Sequence, residues 1–134
     1  MLNNQILATT TVNLFDYSFG TNTLKIIATD NAGNIGEALV VFEITANIDS
    51  TIADIETVYN KGWLNDQNSK NWLIRELELL KKQLEKLIKD REKTILHYLD
   101  KLVKELNKIR DKNRINTEGY DIILNDFNYL KENL

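Results

Sequence analysis

The sequence predicts an α+β protein, with a small antiparallel β portion followed by an antiparallel bundle of three or four helices. Three observations predict it. The run from Asn68 to Lys112 holds no glycine and, like the whole chain, no proline. Its leucines and isoleucines recur in steps of three and four, which lays one apolar stripe along a helix. Residues 1–48 instead alternate apolar and polar side chains and hold three of the five glycines, the habit of strands joined by turns. The expected division is 1–48 for the β portion and 49–134 for the helices.

A length of 134 residues suits one domain or two very small ones. The net charge of −3 offers no broad attraction to nucleic acid or to an anionic membrane. That charge is uneven. Residues 1–48 carry Asp16, Asp30, Glu37 and Glu43 against Lys25 alone. The remaining acids and bases balance, since 20 acidic residues less these four equal 17 basic ones less this one. Such a mixed surface laces helices with ion pairs. Cysteine is absent, which removes a disulfide framework and thiolate metal sites. No apolar run approaches the length of a membrane span. Met1 need not be the natural start, and a leader would then lie upstream.

Within the β portion, Thr11–Phe15 is a strand candidate with Val12 and Leu14 on one face. Thr23–Thr29 is a second, with Leu24, Ile26 and Ala28 aligned, and Ala38–Thr45 a third, with Val40, Phe42 and Ile44 aligned. Gln5–Ala8 is a weaker fourth. Asp30-Asn31-Ala32-Gly33-Asn34-Ile35-Gly36 reads as a hairpin connection, because Asn, Asp and Gly tolerate left-handed backbone. Asp30, Asn31 and Asn34 are also a candidate weak calcium loop, although a single carboxylate makes a poor calcium site and turn amides are the plainer partners.

These residues resemble a known family. Phe19 to Asn34, with its Gly20-Thr21-Asn22-Thr23 start and Asp30-x-x-Gly33-Asn34 turn, followed by Val41-Phe42-Glu43-Ile44, resembles the last strands of a bacterial Ig-like domain. Asn22 stands where the family commonly has histidine. The resemblance implies a partial Ig-like sandwich, since a whole one needs about seven strands over roughly 100 residues. Such a small sheet must be covered by the helical part, pair with a second copy, or find its missing strands in a longer parent chain.

In the helical part, Asp49-Ser50 can cap a helix from Thr51 whose face is Ile52, Ile55, Val58 and Tyr59, with Gly62 as its stop. A second helix is expected from Ser69 to Lys89 with the stripe Leu73, Leu77, Leu80, Leu84, Leu87 and Ile88, supported by Glu78–Lys82 and Glu85–Lys89. A break near Asp90 is favoured over one continuous helix, because a bundle buries its stripes within one chain. The third helix would cover Lys93–Arg110, with Ile95, Leu99, Leu102, Leu106 and Ile109 buried and Asp100–Lys104 paired outside. Thr117 can cap a fourth, with the stripe Tyr120, Ile123, Phe127 and Leu130.

Val58-Tyr59-Asn60-Lys61-Gly62-Trp63-Leu64, then Trp72-Leu73 and Leu77, then Ile115-Asn116-Thr117, resemble a FIMAH-type helical domain. The chain departs from that pattern at Lys89–Glu92, where the family's glycine-containing turn is missing. The family often follows Ig-like repeats at the C-terminus of secreted proteins. The resemblance therefore implies a secreted or cell-surface location and a non-catalytic accessory role: a spacer, cap or attachment piece. The implied partners are the rest of a larger parent protein and cell-surface polysaccharide.

Few residues invite chemistry. His97 is the single histidine and reads as a partly exposed helical residue. Paired carboxylates such as Glu76 with Glu78 and Asp121 with Asp126 read as ion-pair partners among the lysines. Tyr59, Trp63 and Trp72 are a candidate ligand platform for sugar rings, with core anchoring as the plainer reading. No catalytic residue, metal site, cofactor, membrane span or nucleic-acid partner is expected. The alternative function is a self-associating structural protein that dimerises through a β edge or coiled-coil contact.

Overall fold

The computed structural model describes residues 13–86 and 89–134. It is α+β: a two-stranded antiparallel sheet followed by four helices. The chain divides into two units between Thr45 and Ala46.

In the first unit, β1 (Gly20–Thr29) and β2 (Ile35–Ile44) form a hairpin in a register running from Gly20 opposite Ile44 to Thr29 opposite Ile35. The expected strand over Thr11–Phe15 is not formed in its described part. Leu14–Asp16 is a 3-10 turn, because the Asn13 side chain accepts from the Phe15 amide and ends extension there. The Gln5–Ala8 candidate lies outside the described residues. Alternation places Leu24, Ile26, Ala38, Val40 and Phe42 on one face and Ile27, Ile35, Leu39 and Val41 on the other. Ile35 and Val41 are each 67% exposed and Leu39 66%. One ion pair, Lys25 to Glu37 at 3.2 Å, crosses the polar positions.

In the second unit, α1 (Ile48–Asn60), α2 (Gln67–Lys86), α3 (Arg91–Asp111) and α4 (Thr117–Asn133) each pack on the next, and α4 closes on α1. Cross-helix pairs fix the directions. Asp49 meets Lys81 while Glu56 meets Lys70, so α2 runs against α1. Asp100 meets Lys131 while Asn107 meets Tyr120, so α4 runs against α3. Short connections between antiparallel neighbours produce this arrangement.

Most of each stripe read from spacing lies in the core, although Ile52, Tyr59 and Tyr120, also expected there, are only half-buried. Leu73, Leu77, Leu80 and Leu84 from α2, Ile95, Leu99, Leu102, Leu106 and Ile109 from α3, and Ile123, Phe127 and Leu130 from α4 are buried. Leu87 and Ile88 fall outside the described residues. The break between α2 and α3 is real. Asp90 takes φ 58, in the left-handed region, immediately before α3 begins.

Two helix starts differ from expectation. The α1 cap is Asn47, whose side chain accepts from the Ser50 amide at 2.8 Å while Ser50 Oγ accepts from the Asn47 amide at 2.9 Å. Ser50 is thus the third helical residue rather than the cap. The α4 cap is Asn116, not Thr117. The surface pairing also differs. The Asp100 carboxylate reaches Lys131 on α4 at 2.8 Å instead of Lys104 on its own helix, and Lys131 holds it below the ordinary carboxylate range. Mutual packing of α3 and α4 brings that lysine closer than periodicity within one helix can.

Candidate functional site

Both the α1–α2 and the α3–α4 connection lie at one end of the bundle, where they are stitched together. Gly62, at φ 76, turns the chain out of α1. Leu64 then forms an antiparallel bridge with Ile115, both buried. The Asn65 amide donates to the Arg114 carbonyl at 2.9 Å, and the Asn116 amide donates to the Trp63 carbonyl at 2.8 Å. Asp66 accepts from the Ser69 amide and hydroxyl at the start of α2, and from Arg114 Nη1 at 3.1 Å. The Ser69 hydroxyl, and after it the Arg114 guanidinium, hold the Asp66 carboxyl below its usual range.

Asn116 completes the end by accepting from the Gly119 amide at 2.8 Å. Replacing Asn116 by alanine removes that cap and is expected to cost about 1 kcal/mol, read as a lower midpoint in thermal unfolding. Gly119 permits the closeness. A Cβ there would stand 2.8 Å from Val58 Cγ1 and 3.1 Å from Trp63 Cβ.

The three candidate platform aromatics are half-buried in this unit, and each lies under a cation. Lys61 Nζ is 4.9 Å from the Trp63 ring centre, Lys70 Nζ 4.6 Å from that of Tyr59, and Lys101 Nζ 5.4 Å from that of Trp72. Lys70 also reaches Glu56 at 3.4 Å, and Lys101 reaches Glu76 at 2.7 Å. Glu76 is only 5% exposed, so Lys101 supplies the charge partner its burial demands. Glu78, its expected companion carboxylate, is exposed.

In the candidate calcium loop, Asp30 is occupied by its own turn. Its carboxylate accepts from the Ala32 amide at 2.9 Å, the Asn34 amide at 2.8 Å and Asn34 Nδ2 at 2.8 Å. The Asn34 side chain, first among these donors, lowers the Asp30 pKa. Among the described residues no group of three or more His, Cys, Asp or Glu side chains gathers in metal-binding geometry. His97 is exposed and meets Tyr98 edge to face at 5.7 Å between ring centres.

One arrangement escaped the sequence reading. Asp126 is not a surface ion-pair partner. It is 1% exposed on the inner side of α4, and the acid beside it is Asp54 of α1. Asp121, its expected companion, is exposed. The signal was present in the spacing: Ile123, Asp126 and Leu130 step by three and four along the buried stripe. Burial, then the neighbouring Asp54, pushes the Asp126 pKa up to about 9. Burial also raises that of Asp54, partly offset by the hydrogen bond it receives from Asp126. Both shifts favour a state in which the pair holds one proton between its two carboxyls.

No family model, curated protein or solved structure matches this chain. No described helix is long and apolar enough to cross a membrane.

Proposed function

We propose that the chain is a non-catalytic accessory module of a larger extracellular protein, with the hairpin contributing the last strands of an Ig-like sheet and the helical unit acting as a terminal cap or attachment piece. The observation that carries this reading is the hairpin itself. It exposes large apolar side chains on both faces, Ile26 and Val40 on one and Ile35, Leu39 and Val41 on the other. A two-stranded sheet is marginal alone, and among the described residues nothing pairs with the outer edges of β1 and β2, which are templates for further strands. Strands of a parent protein would supply both the missing edges and the cover.

The stitched end of the bundle supports the second half of the reading. Gly62-Trp63-Leu64 and Ile115-Asn116-Thr117, the stretches that carry the FIMAH-type resemblance, meet there backbone to backbone. Polysaccharide attachment through Tyr59, Trp63 and Trp72 is tested by titrating tryptophan fluorescence with soluble polysaccharides. A saturable change is expected, and an unchanged spectrum removes that role.

The same exposed strands favour one other reading, a dimer made by β-edge pairing between two copies. Light scattering after size exclusion separates the two. The module reading expects the monomer mass of 15.5 kDa at micromolar concentration, and twice that mass would give self-assembly the lead.

A further inference from the structure

The acid pair, with Asp126 buried and Asp54 half-buried, has no place in either reading, yet it sits where α4 closes on α1. We infer that Asp54 and Asp126 form a one-proton latch between α1 and α4, so that α4 is seated firmly while the pair holds a proton and less firmly once it is lost. The geometry is the warrant. Asp126 lies in the packed stripe between Ile123 and Leu130, 1% exposed, and its Oδ2 has no hydrogen-bond partner among the described residues. The Asp54 carboxyl is within hydrogen-bonding reach. Two carboxylates offer each other only acceptors, so a proton is the one donor that satisfies both.

Among the described residues no cation acts on Asp126. From α1, packed on one side of α4, the group acting on Asp126 is Asp54; Glu56 faces Lys70 and Asp49 faces Lys81, both on α2. From α3, on the other side, Lys101 is directed to Glu76, Lys108 to Glu105 and Arg110 over the Tyr120 ring, while Asp100 takes Lys131 of α4 itself. Lys104 acts on Asp100, and His97 does the same. None of these charges bears on the Asp126 carboxyl.

The sign follows from linkage. The folded chain holds this proton more tightly than the unfolded chain, in which Asp126 titrates near 3.8. The stabilisation is full below that value and is lost progressively as pH rises to about 9, where the folded group gives up its proton. This is the reverse of an ion-paired aspartate, which loses stability on acidification.

Two measurements on the whole chain test the latch. Carboxyl-carbon NMR should show Asp126 titrating far above the ordinary aspartate range, and Asp54→Asn should bring that titration down by removing the neighbouring charge. Thermal unfolding should show the midpoint falling from about pH 5 towards about pH 9, with Asp126→Asn flattening the slope and melting roughly 5–15 °C above the parent near pH 8. An Asp126 carboxyl that titrates with the exposed aspartates overturns the proposal, whether or not the variants fold. So does an Asp126 titration unmoved by Asp54→Asn.

Discussion

Valine at position 119 is expected to lower the stability of the helical unit by roughly 2–4 kcal/mol, because it forces α4 away from α1. The first added carbon would already stand 2.8 Å from Val58 Cγ1. Val58 is fully buried, and a β-branched side chain in a helix has one strongly preferred rotamer, so it cannot swing aside. Trp63 Cβ and Asn116 Oδ1, both at 3.1 Å, block the other directions. Alanine separates the competing effects. It gains about 1 kcal/mol of helix propensity over glycine, and it meets the same wall at Cβ, which costs about 1–3 kcal/mol. The expected result is a smaller net loss for Gly119→Ala than for Gly119→Val, measured as denaturant midpoints at unchanged slope. An alanine variant more stable than the parent would mean that α4 is free to shift.

Phe127→Ala is expected to cost about 3–5 kcal/mol. Phe127 is the largest fully buried side chain of the unit and lies in the stripe that α4 turns inward. The cost has two parts: the lost transfer of the ring out of water, and the cavity that four packed helices cannot close completely. For a domain of this size that loss corresponds to a fall of roughly 12–30 °C in thermal midpoint. Its neighbour Asp126 sets a contrast on the same helix turn. Taking away the aromatic ring should destabilise at every pH, whereas replacing the acid should have an effect that grows steadily as pH rises from about 4 to about 9.

The helices were legible because burial leaves a periodic trace. Every described residue of the stripes Leu73–Leu84 and Ile95–Ile109 is in the core, and the break at Asp90 was legible because a chain of stripes must fold back to bury them. The caps were less legible. Asn47, Asp49, Ser50 and Thr51 all carry cap-competent oxygens within one turn, and only backbone geometry chooses Asn47. Ion pairs within one helix can be read from spacing, but Asp100 with Lys131 and Glu76 with Lys101 join different helices and depend on packing. Asp126 was misjudged because its charge outweighed its position. An acid at a stripe position reads as exposed until a second acid with a shared proton stands opposite. The two strands of the hairpin are legible from their alternation, but β1 starts at Gly20 rather than Thr23 and β2 at Ile35 rather than Ala38. Ile35 and Gly36, which turn chemistry suggests for the connection, already pair with Thr29 and Ala28. Alternation through Leu14 likewise does not distinguish a strand from the 3-10 turn that Asn13 starts.

On the proposed reading the helical unit holds its own fold while the hairpin takes its remaining strands from a parent chain. Hydrogen exchange of the intact chain at micromolar concentration tests it most directly. The account predicts slow exchange throughout α1–α4, including the stitched amides of Asn65 and Asn116, and fast exchange in β1 and β2. Hairpin amides protected as strongly as the helices would contradict it, because the sheet would then already be complete in this chain.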